Sequence, residues 1–183
     1  MAQFFLGGLY DNWEGVPQDY VKARQWYEKA AAQEYAAAQV NLGALYDQGH
    51  GVPQDYVQAR QWYKQAAAQG DAAAQSLLGV LYDQGHGVAR NYMTARQWYE
   101  QAAAQGHAKA QINLGVLYVK GRGVPQDYAR AYMWYNLAAA STGVRQKLAA
   151  ENRDTVERRM TPAQVAEGQR LSQQCQAQQF KGC

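Results

Sequence analysis

Apolar positions along the chain fall at the spacing of an α-helix. Ala38, Leu42, Leu45 and Tyr46 occupy i, i+4, i+7 and i+8, one stripe of a first helix, called helix A. A second stripe at Ala59, Trp62, Tyr63, Ala66 and Ala67 follows i, i+3, i+4, i+7 and i+8, and marks helix B. Between them lies "DQGHGVPQDY", residues 47–56. Gly49 stands where a helix ends in a left-handed residue, Gly51, Val52 and Pro53 carry the chain round, and Asp55 is placed to cap helix B. Gln58, three residues on, completes a capping-box-like pair, and Gly70 stops the second helix. Gly43, Ala59 and Ala66 are small enough to let the two helices approach closely, while Trp62 and Tyr63 are expected to fill the wedge between neighbouring hairpins.

The hairpin recurs. Residues 36–71 return at 72–107 with 26 of 36 positions identical, and further copies occupy 2–35 and 108–143. A fixed period of this size predicts an all-α solenoid, because single hairpins cannot bury their apolar faces and must stack to do so. Residues 1–143 therefore read as four 36-residue repeats and 144–183 as a C-terminal pair of capping helices with a tail. The first capping helix is expected from Val144 to about Arg159, with Leu148, Asn152 and Val156 on one face. The second starts at Thr161 as cap, with Pro162 and Gln164 behind it, and turns Val165, Gly168, Leu171, Ser172 and Cys175 inward.

Charge adds little to this picture. Residues 1–143 hold eleven Lys and Arg against eleven Asp and Glu, and the excess, seven against four, sits in the last forty residues. No block of like charge marks a nucleic-acid surface, and no apolar run is long enough to span a bilayer. Met1 and Ala2 run straight into patterned sequence, so an upstream start or signal peptide is expected.

The turn resembles a metal or phosphate loop until its copies are aligned. Its aspartate column reads Asp11, Asp47, Asp83 and Val119, and its histidine column reads Glu14, His50, His86 and Arg122. Arginine cannot serve in a ligand slot, and no Lys-Ser/Thr follows the glycines as a phosphate loop requires. No metal site or cofactor is expected, and His50 reads as a solvated loop tip. Twelve of the fourteen tyrosines fall in three columns that begin at Tyr10, Tyr20 and Tyr27, and are assigned to core and wedge. Arg24 and Arg96 have Glu28 and Glu100 one turn on, as in solvated ion pairs. Cys175 and Cys183 would lie about 12 Å apart on a continuous helix, too far for a disulfide unless the chain turns back, for which Gly182 offers a place. An oxidised staple in an exported protein and two free thiols both remain open.

The positions Ala38, Leu42, Gly43, Tyr46, Gly49, Gly51, Val52, Asp55, Ala59, Trp62, Tyr63, Ala66, Ala67 and Gly70 form a pattern that closely resembles the Sel-1-like repeat, a relative of the tetratricopeptide repeat with a longer G-x-GV turn. The resemblance covers about three quarters of the chain and implies a right-handed superhelix of helical hairpins acting as an adaptor or scaffold. Departures are Trp13, where the other turns have Gly49, Gly85 and Gly121, and Ala89-Arg90-Asn91 in place of Pro-Gln-Asp. The "MTPAQ" stretch of the tail is also similar to the ends of many bacterial Sel-1-like proteins, and an oxidised Cys175–Cys183 pair would make this a periplasmic or secreted protein, with a cytoplasmic one as the alternative. Some cysteine-rich relatives suggest a cell-wall-active or β-lactamase-like hydrolase, yet Ser76, Ser141 and Ser172 head no S-x-x-K motif, so no catalytic residue is expected.

In such superhelices helix A lines the concave side. Its variable columns are Phe4/Val40/Ser76/Ile112, Phe5/Asn41/Leu77/Asn113, Gly8/Ala44/Val80/Val116 and Asn12/Gln48/Gln84/Lys120. Small apolar residues flanked by amides suit a groove for a protein or peptide ligand. The expected binding residues are thus Val40, Asn41, Ala44, Gln48, Ser76, Leu77, Val80, Gln84, Ile112, Asn113, Val116 and Lys120. Phe4 and Phe5 stand where a preceding repeat would pack, so the chain also reads as a fragment of a longer array. A monomer is favoured.

Overall fold

The computed structural model describes residues 1–12, 15–141, 143–180 and 183. Every regular element among them is helical, and they form two compact units, Met1–Arg90 and Asn91–Cys183. The first unit holds α1 (Ala2–Asn12), α2 (Tyr20–Ala31), α3 (Ala36–Gln48), α4 (Tyr56–Ala68) and α5 (Ala72–Gln84). Consecutive helices pack on one another throughout it. The second holds α6 (Tyr92–Ala103), α7 (Ala108–Lys120), α8 (Tyr128–Ala139), α9 (Arg145–Glu157) and α10 (Pro162–Ala177).

The hairpins α1–α2, α3–α4 and α7–α8 close by setting the tyrosine of helix B against the glycine of helix A. Tyr27, Tyr63 and Tyr135 are buried, and a Cβ on Gly7, Gly43 or Gly115 would lie only 2.5 to 2.6 Å from the ring concerned. Tyr63 therefore belongs to the interior of its own hairpin, not to the wedge between hairpins. Around it, Ala38, Leu42, Leu45, Ala59 and Ala66 complete the core that the helical stripes outline. At roughly 25 cal/mol per Å² of apolar surface, such burial is the main force holding the stack together.

The turns follow one design. Gly49, Gly85 and Gly121 end their helices in the left-handed conformation, and Asp19, Asp55 and Asp127 cap the helices that follow. Asp55 accepts from the backbone N–H groups of Val57 and Gln58, so Gln58 takes part through its backbone. The glutamine that closes the turn is Gln54, whose amide donates to the Asp47 carbonyl at 2.7 Å and satisfies one of the orphan acceptors at the helix end. Gln18 and Gln126 repeat the bond on Asp11 and Val119. In the third repeat Asn91 replaces the aspartate and still caps α6 through Thr94 N–H.

Within the second unit α8 is covered by α7, α9 and α10. Tyr132, Met133 and Leu137 stand where the second repeat has Arg60, Gln61 and Gln65, and all three are buried. This all-round apolar character is what a helix enclosed on several sides requires. On α9 the inward residues are Ala149 and Val156, while Leu148 is half exposed, so the expected Leu148 stripe is rotated by one position. On α10 Gly168, Ser172 and Cys175 face inward as expected, and Thr161 with Gln164 forms a complete capping box. Gly168 lets α10 approach the Tyr132 ring, where a Cβ would come within 2.8 Å.

Candidate functional site

The aspartate and histidine columns of the turn are absorbed by structure. Asp11 and Asp47 accept hydrogen bonds from the buried hydroxyls of Tyr27 and Tyr63, at 2.9 and 3.3 Å. Burial, reinforced by the neighbouring carboxylate, raises both phenols well above their ordinary range. In the fourth repeat Val119 removes the acceptor, and burial alone pushes Tyr135 up to about 12. A column that reads as a ligand set is a tyrosine lock.

His50 is not a solvated tip. Its ring stacks on Tyr20 at 4.4 Å between centroids, and His86 stacks on Tyr56 at 4.3 Å. Arg122 holds the same station over Tyr92 at 5.3 Å. The column therefore selects a flat, cationic or aromatic group to cover the tyrosine that opens the preceding helix B. Gly51 explains how the turn comes so close. It adopts φ +67°, and a Cβ there would meet the Tyr20 backbone carbon at 2.7 Å. Gly87 and Gly123 meet Tyr56 and Tyr92 in the same way. Among the described residues no group of three or more His, Cys, Asp or Glu could hold a metal ion. Trp13 and Glu14, which break the glycine and histidine columns, lie outside the described residues, as do Thr142, Lys181 and Gly182.

The helix A residues divide into two groups. Val40 and Ala44 on α3, Leu77 and Val80 on α5, and Asn113 and Val116 on α7 are partly exposed, and Gln48, Gln84 and Lys120 are exposed. Ser76 and Ile112 are different. They are 1% and 7% exposed, and Phe4 of the same column packs on Tyr27 and Tyr35, so these three positions are spent on packing, and only Val40 in the column stays partly exposed. Asn41 is partly buried. The ion pairs Arg24–Glu28 and Arg96–Glu100 form at 3.4 Å on helix B surfaces.

Cys175 and Cys183 form a disulfide with their Cα atoms 5.4 Å apart. The chain turns back at Gln179 and Phe180, both at positive φ, with Phe180 N–H bonded to the Cys175 carbonyl at 2.9 Å. The role expected of Gly182 falls outside the described residues. Two clefts flank this turn. One of about 140 Å³ lies among Arg130, Met133, Leu171 and the disulfide, and one of about 270 Å³ lies among Glu100, Ala104, Trp134 and Phe180. In the first unit a recess of about 560 Å³ lies between the C-terminal ends of α2 and α4. No helix among the described residues is long and apolar enough to cross a membrane.

Comparison with known proteins agrees with this anatomy. The family model described as Sel1 repeat matches residues 1–35, 36–71, 72–107 and 108–142. A solved structure of a protective antigen present in uropathogenic Escherichia coli strains, described as displaying an SLR fold, is 38% identical with a TM-score of 0.87. The match covers 97% of this chain and 38% of that one. A Sel1 repeat protein from Oxalobacter formigenes is 42% identical with a TM-score of 0.68, over 75% of this chain and 57% of that one. The chain thus spans less than two thirds of either protein. No curated protein matches it.

Proposed function

The chain belongs to the Sel1 repeat family, and from that premise we propose that it is a non-catalytic scaffold whose helix A faces bind a protein or peptide. Sel1 repeat proteins are in general protein-interaction scaffolds. The observation that carries the assignment is the fate of the repeat's columns: aspartate, histidine, tyrosine and glycine are spent on packing, whereas Leu77, Val80, Asn113 and Val116 vary between repeats and stay partly exposed. Apolar side chains beside amides can bury a ligand's side chains and still satisfy its backbone.

Ser76 and Ile112 are excluded from this surface by burial. The surface then comprises Val40, Asn41, Ala44, Gln48, Leu77, Val80 and Gln84 in the first unit, and Asn113, Val116 and Lys120 in the second. The Cys175–Cys183 disulfide supports an oxidising, extracytoplasmic location. The test is capture of a partner from native extract. Val80→Glu and Val116→Glu abolish capture while leaving the melting curve in place. Capture that survives both substitutions refutes the assignment.

A further inference from the structure

A recess between successive B helices exists in each unit, and the two differ in size, about 270 Å³ in the second unit against about 560 Å³ in the first. In the second unit it lies between the end of α6 and α8, where Phe180 and Cys183 of the tail wall it off opposite Trp134, which is buried there, whereas Trp62 in the first unit is only partly buried. A Cβ on Gly106 would stand 3.9 Å from the Phe180 ring, an ordinary van der Waals contact. The Cys175–Cys183 bridge holds this turn closed. The equivalent recess of the first unit, between α2 and α4, has Trp62 at the Trp134 position and Ala32 at the Ala104 position, and among the described residues that line it none corresponds to Phe180.

Three differences show what the open recess would accept. Gln65 and Gln69 replace Leu137 and Ser141, and both are linked to the buried Gln39, at 3.4 and 2.8 Å. Their outer amide groups offer donors and acceptors suited to a peptide backbone. Glu34 replaces Gly106 at the rim, and it adopts φ +59°. A left-handed backbone is unfavourable for an L-residue, whereas glycine takes it freely. The carboxylate is thus held at the mouth of the recess in spite of the local backbone.

We propose that the α2–α4 recess binds a partner peptide that presents an aromatic side chain in a turn, next to a basic residue. The aromatic ring lies on Trp62 as Phe180 lies by Trp134, the backbone meets Gln65 and Gln69, and the basic group meets Glu34. The sequence Phe180-Lys181 within this chain's own tail has that composition. This site lies on B helices and does not depend on the helix A assignment.

The probe is a synthetic peptide of residues 174–183, closed by its own disulfide and added to the intact oxidised protein. The readout is the Trp62 indole N–H resonance. Saturable movement of that resonance is expected, and a peptide with Phe180→Ala should bind about tenfold more weakly or worse. Ala68→Trp, which fills the recess from an exposed position, should abolish uptake with the melting temperature kept. Glu34→Gly should weaken binding and remove its salt dependence while leaving the protein equally or more stable. Lys147→Ala, on α9, should change nothing. The proposal is overturned if the Trp62 resonance does not respond, if the Phe180→Ala peptide binds equally well, or if Ala68→Trp has no effect. Unchanged affinity in Glu34→Gly overturns the basic half of the assignment. Dimerisation that Ala68→Trp abolishes, with no uptake of peptide, gives the recess to a second copy and also overturns it.

Discussion

Two glycine-to-alanine substitutions in the first unit should move stability in opposite directions. Both sites are in helices, where alanine is favoured over glycine by about 1 kcal/mol. At Gly8 nothing lies within 4 Å of the added Cβ, and later repeats carry Ala44 and Val80 in this column. Gly8→Ala should therefore stabilise by up to about 1 kcal/mol. At Gly43 the Cβ would stand 2.6 and 2.7 Å from two carbons of Tyr63 and 3.2 Å from the Ala59 carbonyl oxygen. Carbon–carbon contacts favour about 3.5–4.0 Å, so a fully buried ring must shift by about 1 Å. Overpacking of this kind costs about 1–3 kcal/mol, and with no free space beside Tyr63 the upper end applies. Set against the helix gain, Gly43→Ala should lose about 2 kcal/mol net, some 3 kcal/mol below Gly8→Ala. Urea unfolding followed by far-ultraviolet circular dichroism measures both, with an unchanged m-value showing that the midpoint shift reports stability. Gly43→Ala at or above the stability of the parent would refute the idea that the tyrosine-on-glycine contact sets the spacing of the hairpin.

Further outcomes follow from the same contacts. His50→Arg should leave stability within about 0.5 kcal/mol, because Arg122 already serves in that slot, whereas His50→Ala should lose about 0.5–1.5 kcal/mol of stacking, measured by the same unfolding curves. Asp47→Ala should cost about 1–3 kcal/mol by stranding the Tyr63 hydroxyl, and the additional change Tyr63→Phe should recover most of it. The buried phenols have folded-state pKa values above their unfolded ones, so their contribution is complete below pH about 10 and is lost as pH rises through the folded values, about 12 for Tyr135. Absorbance at 295 nm should show these tyrosines ionising only together with alkaline unfolding. Reducing the Cys175–Cys183 bridge opens a loop of sequence separation 8, a loss of about 2.5 kcal/mol by loop entropy, and hydrogen exchange should rise over the end of α10 with α1–α5 unchanged.

The hairpin plan was legible because the sequence repeats. A single copy of the turn suggests chemistry, and only the presence of Val119 and Arg122 in later copies shows that the columns tolerate replacement. What those columns do instead was hidden, since each contact joins residues far apart in sequence: Asp47 to Tyr63, and His50 to Tyr20. Periodicity assigned Tyr63 to a helix face without telling whether that face meets its own hairpin or the next one. Ser76 and Ile112 misled for the same reason, because half of helix A turns toward B helices on either side. A signal for the covered end was present in Tyr132, Met133 and Leu137, three apolar residues where the second repeat has Arg60, Gln61 and Gln65. Leu148, by contrast, is an apolar residue left half exposed, and composition alone could not rank it below Ala149.

The central claim, that exposed helix A positions carry the interaction, is tested most directly by site-specific photocrosslinking in native extract. A photoreactive phenylalanine is placed at Val80, at Val116 and, for comparison, at the exposed Val57 of α4. Adducts with one common partner are expected from Val80 and Val116 and none from Val57. Adducts from Val57 alone would contradict the account.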